Sequence, residues 1–269
     1  MLDQSLNYID DLESLSIIKD GVYKDTYFCV YKGKRAILSQ YRLDTNPYNL
    51  DPKREVNLLD SIKELELGPN AIFYDEKLNI IITSEIQVKD IDQSKGRNYL
   101  LSGLAKSLES LHSFKVVSNR HTFRDSLILY GDHMKDHKEK NIFNKTIELY
   151  DYLCDRNQRR CLCHNDLHPE NVLISDTIQL IDWEYASLNF PYFDLAYAIE
   201  YFEMNEKEIL YFMSEYGIVN HDIDIETLNK SKKLTKFITL IWLLILDKYY
   251  TIKPSEAKLL TSLITELNV

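Results

Sequence analysis

The sequence predicts an α+β protein with a small antiparallel sheet and one helix at the N-terminal end, followed by a larger, mainly helical region. Two observations lead to this fold class. In the first third of the chain, short β-rich runs are separated by turn residues. From about residue 96 onwards, apolar residues recur every three or four positions, which is the spacing of amphipathic helices. We therefore expect an N-terminal region of residues 1–86 and a C-terminal region of residues 87–269, meeting at a hinge near residues 85–95.

The N-terminal region is predicted to contain two hairpins with a helix between them. Gly33 marks a turn within the first β-rich stretch, as a hairpin requires. Asp51 and Pro52 supply an N-cap and a proline for the first helical turn. The predicted elements are a hairpin over residues 27–41, a helix from Pro52 that ends before Gly68, and a second hairpin over residues 71–74 and 78–84.

The C-terminal region is predicted to be helical except for one short stretch. Five leucines between residues 100 and 111 have helical spacing, in a helix that ends near His112. Between Cys163 and Trp183, two short apolar pieces flank a turn, which predicts a small hairpin. Further helices are expected over residues 195–202, 206–216, 225–250 (with an interruption) and 255–267.

Composition and charge narrow the classes of function. No apolar run is long enough to span a bilayer, and the acidic start lacks the order of a signal peptide, so we expect a cytoplasmic protein without membrane insertion. A net charge of −10 argues against nucleic acid as the main partner and favours a cationic small molecule. The four cysteines are expected to be thiols without a metal, because no second ligand pair has zinc spacing. Nothing indicates an oligomeric state.

One segment has the residue types and spacing that phosphoryl transfer needs. Asp166 is followed five residues later by Asn171, and Asp182 ends the apolar piece beyond the next turn. Phosphoryl transfer requires a carboxylate that orients the attacking hydroxyl and accepts its proton. It also requires oxygen ligands for Mg²⁺, which prefers carboxylate and amide oxygens. Asp166 fits the first requirement, and Asn171 with Asp182 fit the second.

This segment resembles a known family. The stretch His164–Asn171 is similar to the loop shared by aminoglycoside phosphotransferases and choline kinases. Residues 180–196 look especially like bacterial choline kinases, and thiamine kinases share the first part of that stretch. The resemblance implies a two-lobed, protein-kinase-like fold with ATP bound by the N-terminal lobe. It also implies Asp166 as the catalytic base, and Asn171 and Asp182 as Mg²⁺ ligands.

Four neighbouring residues are expected to contribute as well, and the resemblance assigns the roles of three of them, His164, Asp194 and Glu184. His164 and Asp194 would support the catalytic loop, which we define as residues His164–Asn171. His168 would order the same loop through a hydrogen bond rather than act as a second base. Glu184 would approach the metal or the substrate.

The nucleotide lobe matches the family on its helix but not on its strand. In the family, a basic residue on the third strand binds phosphate and pairs with a glutamate on the next helix. Glu55 matches that glutamate, but Ser39 stands where the basic residue belongs, and a serine carries no charge to neutralise phosphates. Arg42 or Arg35 is a candidate replacement. The adenine would be bound at the hinge, near Glu85 and Ile86.

The acceptor is expected to be a small cationic alcohol. Choline, ethanolamine and thiamine combine a hydroxyl with a positive charge, and aromatic faces bind such cations. Among 19 Tyr, 10 Phe and 2 Trp, we select Tyr185 and Trp242 for this role. Choline kinases often have a second tryptophan three residues after the first, where this chain has Ile245. An aminoglycoside acceptor is a further alternative, and a nucleotide-binding pseudokinase, suggested by Ser39 and the glycine-poor loop Lys19–Thr26, is the alternative from another class.

Overall fold

The computed structural model describes residues 9–42, 46–88, 96–115, 121–219 and 222–269, which form a sheet lobe and a helical lobe. The strands are β1 Leu12–Asp20, β2 Lys24–Tyr31, β3 Lys34–Tyr41, β4 Ala71–Asp75, β5 Ile80–Ser84, β6 Cys161–Cys163, β7 Val172–Ile174, β8 Ile178–Leu180 and β9 Ser187–Asn189. The helices are α1 Pro52–Ile62, α2 Gly96–Ser113, α3 Phe123–Gly131, α4 His137–Arg156, α5 Pro191–Tyr201, α6 Glu206–Glu215, α7 Ile225–Tyr249 and α8 Pro254–Leu267.

The sheet lobe is a five-stranded antiparallel sheet with the strand order β1-β2-β3-β5-β4. Both predicted hairpins are present, but the sequence did not predict β1. This strand lies at the sheet edge, where Ile17 and Ile18 are 58% and 57% exposed, so it lacks the alternation of a half-buried strand. The expected loop Lys19–Thr26 is instead a tight turn at residues 21–23 between β1 and β2, and it places Lys24 on a strand.

The two faces of this sheet pack into different cores. Leu38 and Ile82 belong to a small cluster on one face, together with Tyr27 and other residues of the sheet lobe. Tyr41 and Ile81 belong to the large core that continues into the helical lobe. Because side chains alternate along a strand, the residues in phase with Tyr41 and Ile81 face the helical lobe.

Helix α1 begins as predicted and is followed by the junction between the lobes. The Asp51 side chain caps it by accepting from the Arg54 amide at 3.1 Å. The helix ends at Ile62 and continues as a short 3₁₀ turn. The chain then contacts the helical lobe before it enters β4. There, the Leu67 carbonyl accepts from the Leu180 amide at 2.7 Å, which joins the two lobes close to Asp182.

The helical lobe packs α5 and α4 against α7, α2 against α6, and α8 against α7. The interruption expected in residues 225–250 is wrong, because α7 is one continuous helix from Ile225 to Tyr249. Its buried residues contact helices on several sides, and this tertiary burial stabilises the long helix beyond its local propensity. Two short antiparallel pairs, β6–β9 and β7–β8, complete the lobe. Of the helices that the structure describes, none combines the length and apolarity needed to cross a membrane.

Candidate active site

A cavity of about 400 Å³ lies between the two lobes. Its walls come from the β1–β2 turn, the catalytic loop, the segment after β8, and parts of α3, α5, α7 and α8. The predicted site residues that line it are Asp166, His168, Asp182, Glu184, Tyr185 and Trp242. Four others, His164, Asn171, Asp194 and Glu55, are buried next to these residues.

Asp194 anchors the start of the catalytic loop. This fully buried carboxylate accepts from the backbone amides of His164 and Asn165, both at 2.8 Å. The ring of His112 lies 3.1 Å from the same carboxylate. Asp194 sits inside the first turns of α5 and does not cap it, because the N-cap is Phe190. Its carboxylate therefore accepts hydrogen bonds from the loop amides rather than from the amides at the start of the helix.

His164 and Asn171 hold the backbone of Ile181, the residue before Asp182. The Nε2 of His164 donates to the Ile181 carbonyl at 2.9 Å, and the Asn171 carbonyl accepts from the Ile181 amide at 3.0 Å. Burial lowers the pKa of His164, which favours the neutral ring that makes this single donation. Asp182 itself adopts a left-handed backbone conformation, with φ of 60°, that turns its side chain at the strand end. The catalytic loop and Asp182 are thus held as one unit.

Both oxygens of Asp166 have partners. The amide nitrogen of Asn171 donates to Oδ2 at 2.9 Å, and the hydroxyl of Tyr197 donates to Oδ1 at 3.1 Å. His168 Nε2 lies 3.5 Å from Oδ2. Burial opposes the protonated form of His168, but the Asp166 carboxylate outweighs it and raises the pKa of the ring. Tyr197 was missed from the sequence because it lies on α5, 31 residues further along the chain.

The donor set beside Asp166 fits Mg²⁺. Asn171 uses its amide nitrogen on Asp166, which leaves its amide oxygen as the atom that could bind a cation. Asp182 offers carboxylate oxygens and already attracts a positive group, since the ammonium of Lys24 lies 2.9 Å from its Oδ1. Carboxylate and amide oxygens are the ligands that Mg²⁺ prefers. The residues present are therefore compatible with the metal that the resemblance implies.

Lys24 is the second residue that the sequence did not reveal. Its ammonium bonds Glu184 at 2.8 Å as well as Asp182, and the side chain is 7% exposed. Burial opposes its charge, but the carboxylate of Glu184, aided by Asp182, raises the pKa of Lys24 well above its usual value. Burial raises the pKa of Glu184 to about 8, whereas the nearby ammonium outweighs burial at Asp182 and lowers its pKa. Glu55 is also buried here, so three carboxyl groups lie near the one ammonium of Lys24.

Glu55 and Ser39 lie on the same side of the site as Lys24. The hydroxyl of Tyr41 donates to Glu55 in a short hydrogen bond, and burial raises the pKa of this glutamate. Ser39 pairs with Thr26 across β2–β3 and places no charge in the cleft. The fold therefore has an uncharged residue at the position where the family has a basic one.

The two arginines considered as replacements are engaged elsewhere. Arg42 donates to Asp25 at 2.6 Å, to Asp20 at 2.9 Å and to the Gly21 carbonyl at 3.0 Å, so the β1–β2 turn already neutralises it. Arg35 donates to Glu85 at 2.7 Å in an exposed ion pair just after β5. A phosphate contact by Arg42 stays a prediction and would require these pairs to break.

The predicted adenine site lies just after β5. Glu85 and Ile86 follow the strand directly, as expected, and both are partly exposed. The Glu85 carboxylate is occupied by Arg35, which leaves its backbone as the group available to a base. The adenine contact stays a prediction, and the predicted hinge continues into residues 89–95, which lie outside the described residues.

Tyr185 and Trp242 meet in the cavity wall. The indole nitrogen of Trp242 donates to the Tyr185 hydroxyl at 3.1 Å, and the Tyr23 hydroxyl lies 2.8 Å from that same oxygen. Tyr48 stacks behind Trp242 with 5.5 Å between ring centroids. The aromatic residues that line the cavity are Tyr23, Phe123, Tyr130, Tyr185, Tyr197, Tyr201 and Trp242.

A buried cluster behind the catalytic loop contains thiols. The ligand atoms of His112, Cys161 and Cys163 lie within 4.8 Å of one another. Both ring nitrogens of His112 already have partners, since Nδ1 contacts the Tyr216 hydroxyl at 2.8 Å and Nε2 contacts Asp194. The histidine therefore supports Asp194 through a hydrogen bond, and Cys161 and Cys163 form no disulfide.

The cleft between the sheet lobe and the helical lobe holds one carboxylate next to further carboxylate and amide oxygens. Kinase-type phosphoryl transfer uses groups of these types. Residues 14–212 match the Phosphotransferase enzyme family, and the chain belongs to this family. A LicA homolog from Mycoplasma capricolum subsp. capricolum is 24% identical over 186 residues, which cover 68% of this chain and 74% of that protein.

Three solved structures share the fold over nearly the whole chain. The choline kinase LicA from Streptococcus pneumoniae has a TM-score of 0.74 and 21% identity, covering 98% of this chain and 95% of its own. An ethanolamine kinase from Plasmodium vivax has a TM-score of 0.72 and 15% identity, covering 98% and 84%. A thermostable mutant of aminoglycoside phosphotransferase APH(4)-Ia, in a ternary complex with AMP-PNP and hygromycin B, has a TM-score of 0.70 and 13% identity, covering 98% and 96%. These similarities confirm the predicted protein-kinase-like fold.

Proposed function

We propose that this protein transfers the γ-phosphate of ATP to the hydroxyl of a small cationic alcohol, with choline or ethanolamine as the acceptor. The observation that supports the proposal best is a single cavity containing both Asp166, fixed by two hydrogen bonds, and the aromatic pair Tyr185 and Trp242. Relatives with the same fold include a choline kinase and an ethanolamine kinase. The cytoplasmic location expected from the sequence stays a prediction.

ATP as the phosphate donor is supported by the nucleotide analogue bound to APH(4)-Ia and by the donor set around Asp182. Asp182 and the Asn171 amide oxygen would hold Mg²⁺. When bound, the metal supplies positive charge that stabilises the transferred phosphoryl group. Three carboxyl groups, those of Asp182, Glu184 and Glu55, lie near one lysine, and a divalent cation beside them would favour their charged forms.

Asp166 would act on the acceptor. Tyr197 and Asn171 each occupy one of its oxygens and thereby orient the carboxylate, whose remaining lone pairs can accept the proton of the acceptor hydroxyl. As that proton moves to Asp166, the hydroxyl oxygen forms a bond to the γ-phosphorus. The bond between the γ-phosphorus and the oxygen that bridges to the β-phosphate breaks, and ADP leaves with that oxygen.

The cavity suits a compact cation better than a polycationic sugar. Aromatic faces attract a quaternary or primary ammonium, and Glu184 adds a buried acidic group beside them. In helix α8, Glu256 lines the cavity. Glu266 does not line it and instead pairs with Lys236, with 2.6 Å between the ammonium and the carboxylate. Helix α8 thus offers the cavity one carboxylate, whereas an aminoglycoside would ordinarily be bound by several in this part of the chain. Thiamine also combines a hydroxyl with a positive charge and remains the second candidate acceptor.

The proposal is tested by measuring ADP release with choline, ethanolamine, thiamine and kanamycin in turn. We expect release that depends on choline or ethanolamine and that the Asp166→Asn variant loses, because an amide cannot accept the hydroxyl proton. ADP release with thiamine and with none of the other three compounds would identify thiamine as the acceptor. Nucleotide binding without acceptor-dependent release in a wider panel of alcohols would favour a pseudokinase.

A further inference from the structure

We propose that Lys24, on strand β2, supplies the cation that binds the phosphates of the nucleotide. The inference rests on the proposed use of ATP and identifies the residue that would bind its phosphates. It also explains how the chain can function with Ser39 on β3, where no charge is available.

The strand register brings Lys24 next to the position of Ser39. Lys24 pairs with Tyr41, and Thr26 pairs with Ser39, in the antiparallel ladder between β2 and β3. Directly paired residues project from the same face of a sheet, and diagonal neighbours lie within reach of a long side chain. Lys24 and Ser39 are such diagonal neighbours, on the face that Tyr41 and Ile81 turn towards the helical lobe.

Lys24 combines burial, a place in the cavity lining and contact with a predicted metal ligand. Among the residues that the structure describes, Lys24 is the only buried lysine or arginine. It lines the interlobe cavity, and its ammonium contacts Asp182, a predicted metal ligand, at 2.9 Å. Lys19 also lines the cavity but is exposed, and Arg42 is paired with Asp20 and Asp25.

Tyr41 connects Lys24 with Glu55. The Lys24 ammonium lies 5.6 Å from the centroid of the Tyr41 ring, and the Tyr41 hydroxyl donates to Glu55. Glu55 is the helix glutamate that, by resemblance, pairs with the phosphate-binding residue. Lys24 and this glutamate therefore flank one tyrosine on one side of the cleft, although the lysine comes from β2 rather than from β3.

The contacts of Lys24 can be exchanged for contacts with phosphate. A lysine ammonium has three rotatable donors on a flexible four-carbon stem, so it can change partners without movement of the backbone. Its present partners, Asp182 and Glu184, hold a positive charge at the cavity wall. Phosphate oxygens that enter the cavity would offer the same ammonium a more negative partner.

The test compares the affinity of Lys24→Met for ATP and for adenosine, by titration calorimetry in the presence of Mg²⁺. We expect ATP to bind about 10- to 100-fold more weakly, which corresponds to one lost charged contact, while the affinity for adenosine changes less than about twofold. Lys34→Met, at an exposed position of the same sheet, is the matched control and should bind both ligands normally. Unchanged ATP affinity, or an equal loss for both ligands, would overturn the inference.

A second variant separates phosphate binding from folding. Adding Ser39→Lys to Lys24→Met returns an ammonium to the diagonal position and should restore ATP affinity to within about tenfold of the wild type. If Lys24→Met does not fold, the double variant alone decides, and its failure to bind ATP overturns the inference. ATP binding that depends on Lys24, without transfer to any acceptor, would contradict the proposed function but not this inference. Transfer to choline by a protein whose ATP affinity does not depend on Lys24 would support the proposed function and contradict this inference.

Discussion

The hydroxyl of Tyr197 on helix α5 donates a hydrogen bond to Oδ1 of Asp166 across 3.1 Å. The Tyr197 ring also stacks on Tyr201, with 4.5 Å between centroids and 9° between planes. This stack fixes the direction of the hydroxyl, so the helical lobe orients the predicted base from the side opposite Asn171. The contact gives α5 a direct part in positioning the site.

Removing the Tyr197 hydroxyl should slow phosphoryl transfer while leaving nucleotide binding intact. Tyr197→Phe keeps the ring and its stack but removes one hydrogen bond to Asp166, and we expect kcat to fall about three- to tenfold. Steady-state kinetics with choline and ATP measure this effect. A normal kcat, or a loss that appears only in the KM for ATP, would show that Tyr197 does not orient the base.

Asp194 is expected to contribute strongly to stability. Asp194→Ala leaves the His164 and Asn165 amides and the His112 ring without their buried acceptor. We expect the free energy of unfolding to fall by about 3 kcal/mol or more, measured by urea denaturation. The control Asp60→Ala, at an exposed position on α1, should change stability by less than about 0.5 kcal/mol. Similar losses in both variants would refute the loop-anchor role.

The aromatic wall should distinguish a cationic acceptor from a neutral one. We expect the wild type to use choline at least about tenfold more efficiently, in kcat/KM, than the carbon analogue in which a quaternary carbon replaces the nitrogen. Trp242→Leu should raise the KM for choline about 3- to 30-fold and change that for the neutral analogue much less. Equal use of the two alcohols by the wild type would argue against recognition of the charge.

Stability at acidic pH should depend on Asp224, the N-cap of α7. Its carboxylate accepts from the Thr227 amide at 3.0 Å and pairs with Arg156 at 3.0 Å. The Thr227 bond and then Arg156 lower the pKa of Asp224 to about 2 in the folded protein, below its unfolded value. Its contribution is therefore fully present above pH of about 5 and declines as the pH falls towards 2.

The matching measurement is urea unfolding of the wild type and Asp224→Ala between neutral and acidic pH. At neutral pH the variant should be less stable by about 1 kcal/mol, the usual cost of losing an N-cap. The difference should stay constant down to pH of about 5 and shrink below that. A difference that grows on acidification would contradict the assignment.

The sequence predicted those parts of the site that lie close together along the chain. Asp166 and Asn171 share one loop, and Asp182 follows after a hairpin, so their spacing alone indicated a common site. Lys24 was not predictable in this way, because it meets Asp182 across 158 residues through the packing of the two lobes. The first three residues of its strand, residues 24–26, were also read as part of a loop, since the edge strand before them shows no alternation of buried and exposed residues.

The aromatic wall of the cavity was predicted only in part for the same reason. The sequence singled out Tyr185 and Trp242, which do share one wall, and their hydrogen bond links residues 57 positions apart. Tyr23 and Tyr48, which complete that wall and support it, come from the sheet lobe and from the segment before α1. Their placement follows from tertiary packing, which periodicity does not encode.

Phosphorus NMR of the reaction mixture would detect the proposed transfer of phosphate to a cationic alcohol. With ATP, Mg²⁺ and choline, we expect the resonance of a phosphomonoester of choline to appear in step with ADP, and to be absent with Asp166→Asn. ADP accompanied only by inorganic phosphate would mean hydrolysis by water rather than transfer. The absence of a phosphomonoester with choline, ethanolamine and thiamine alike would contradict the proposed function.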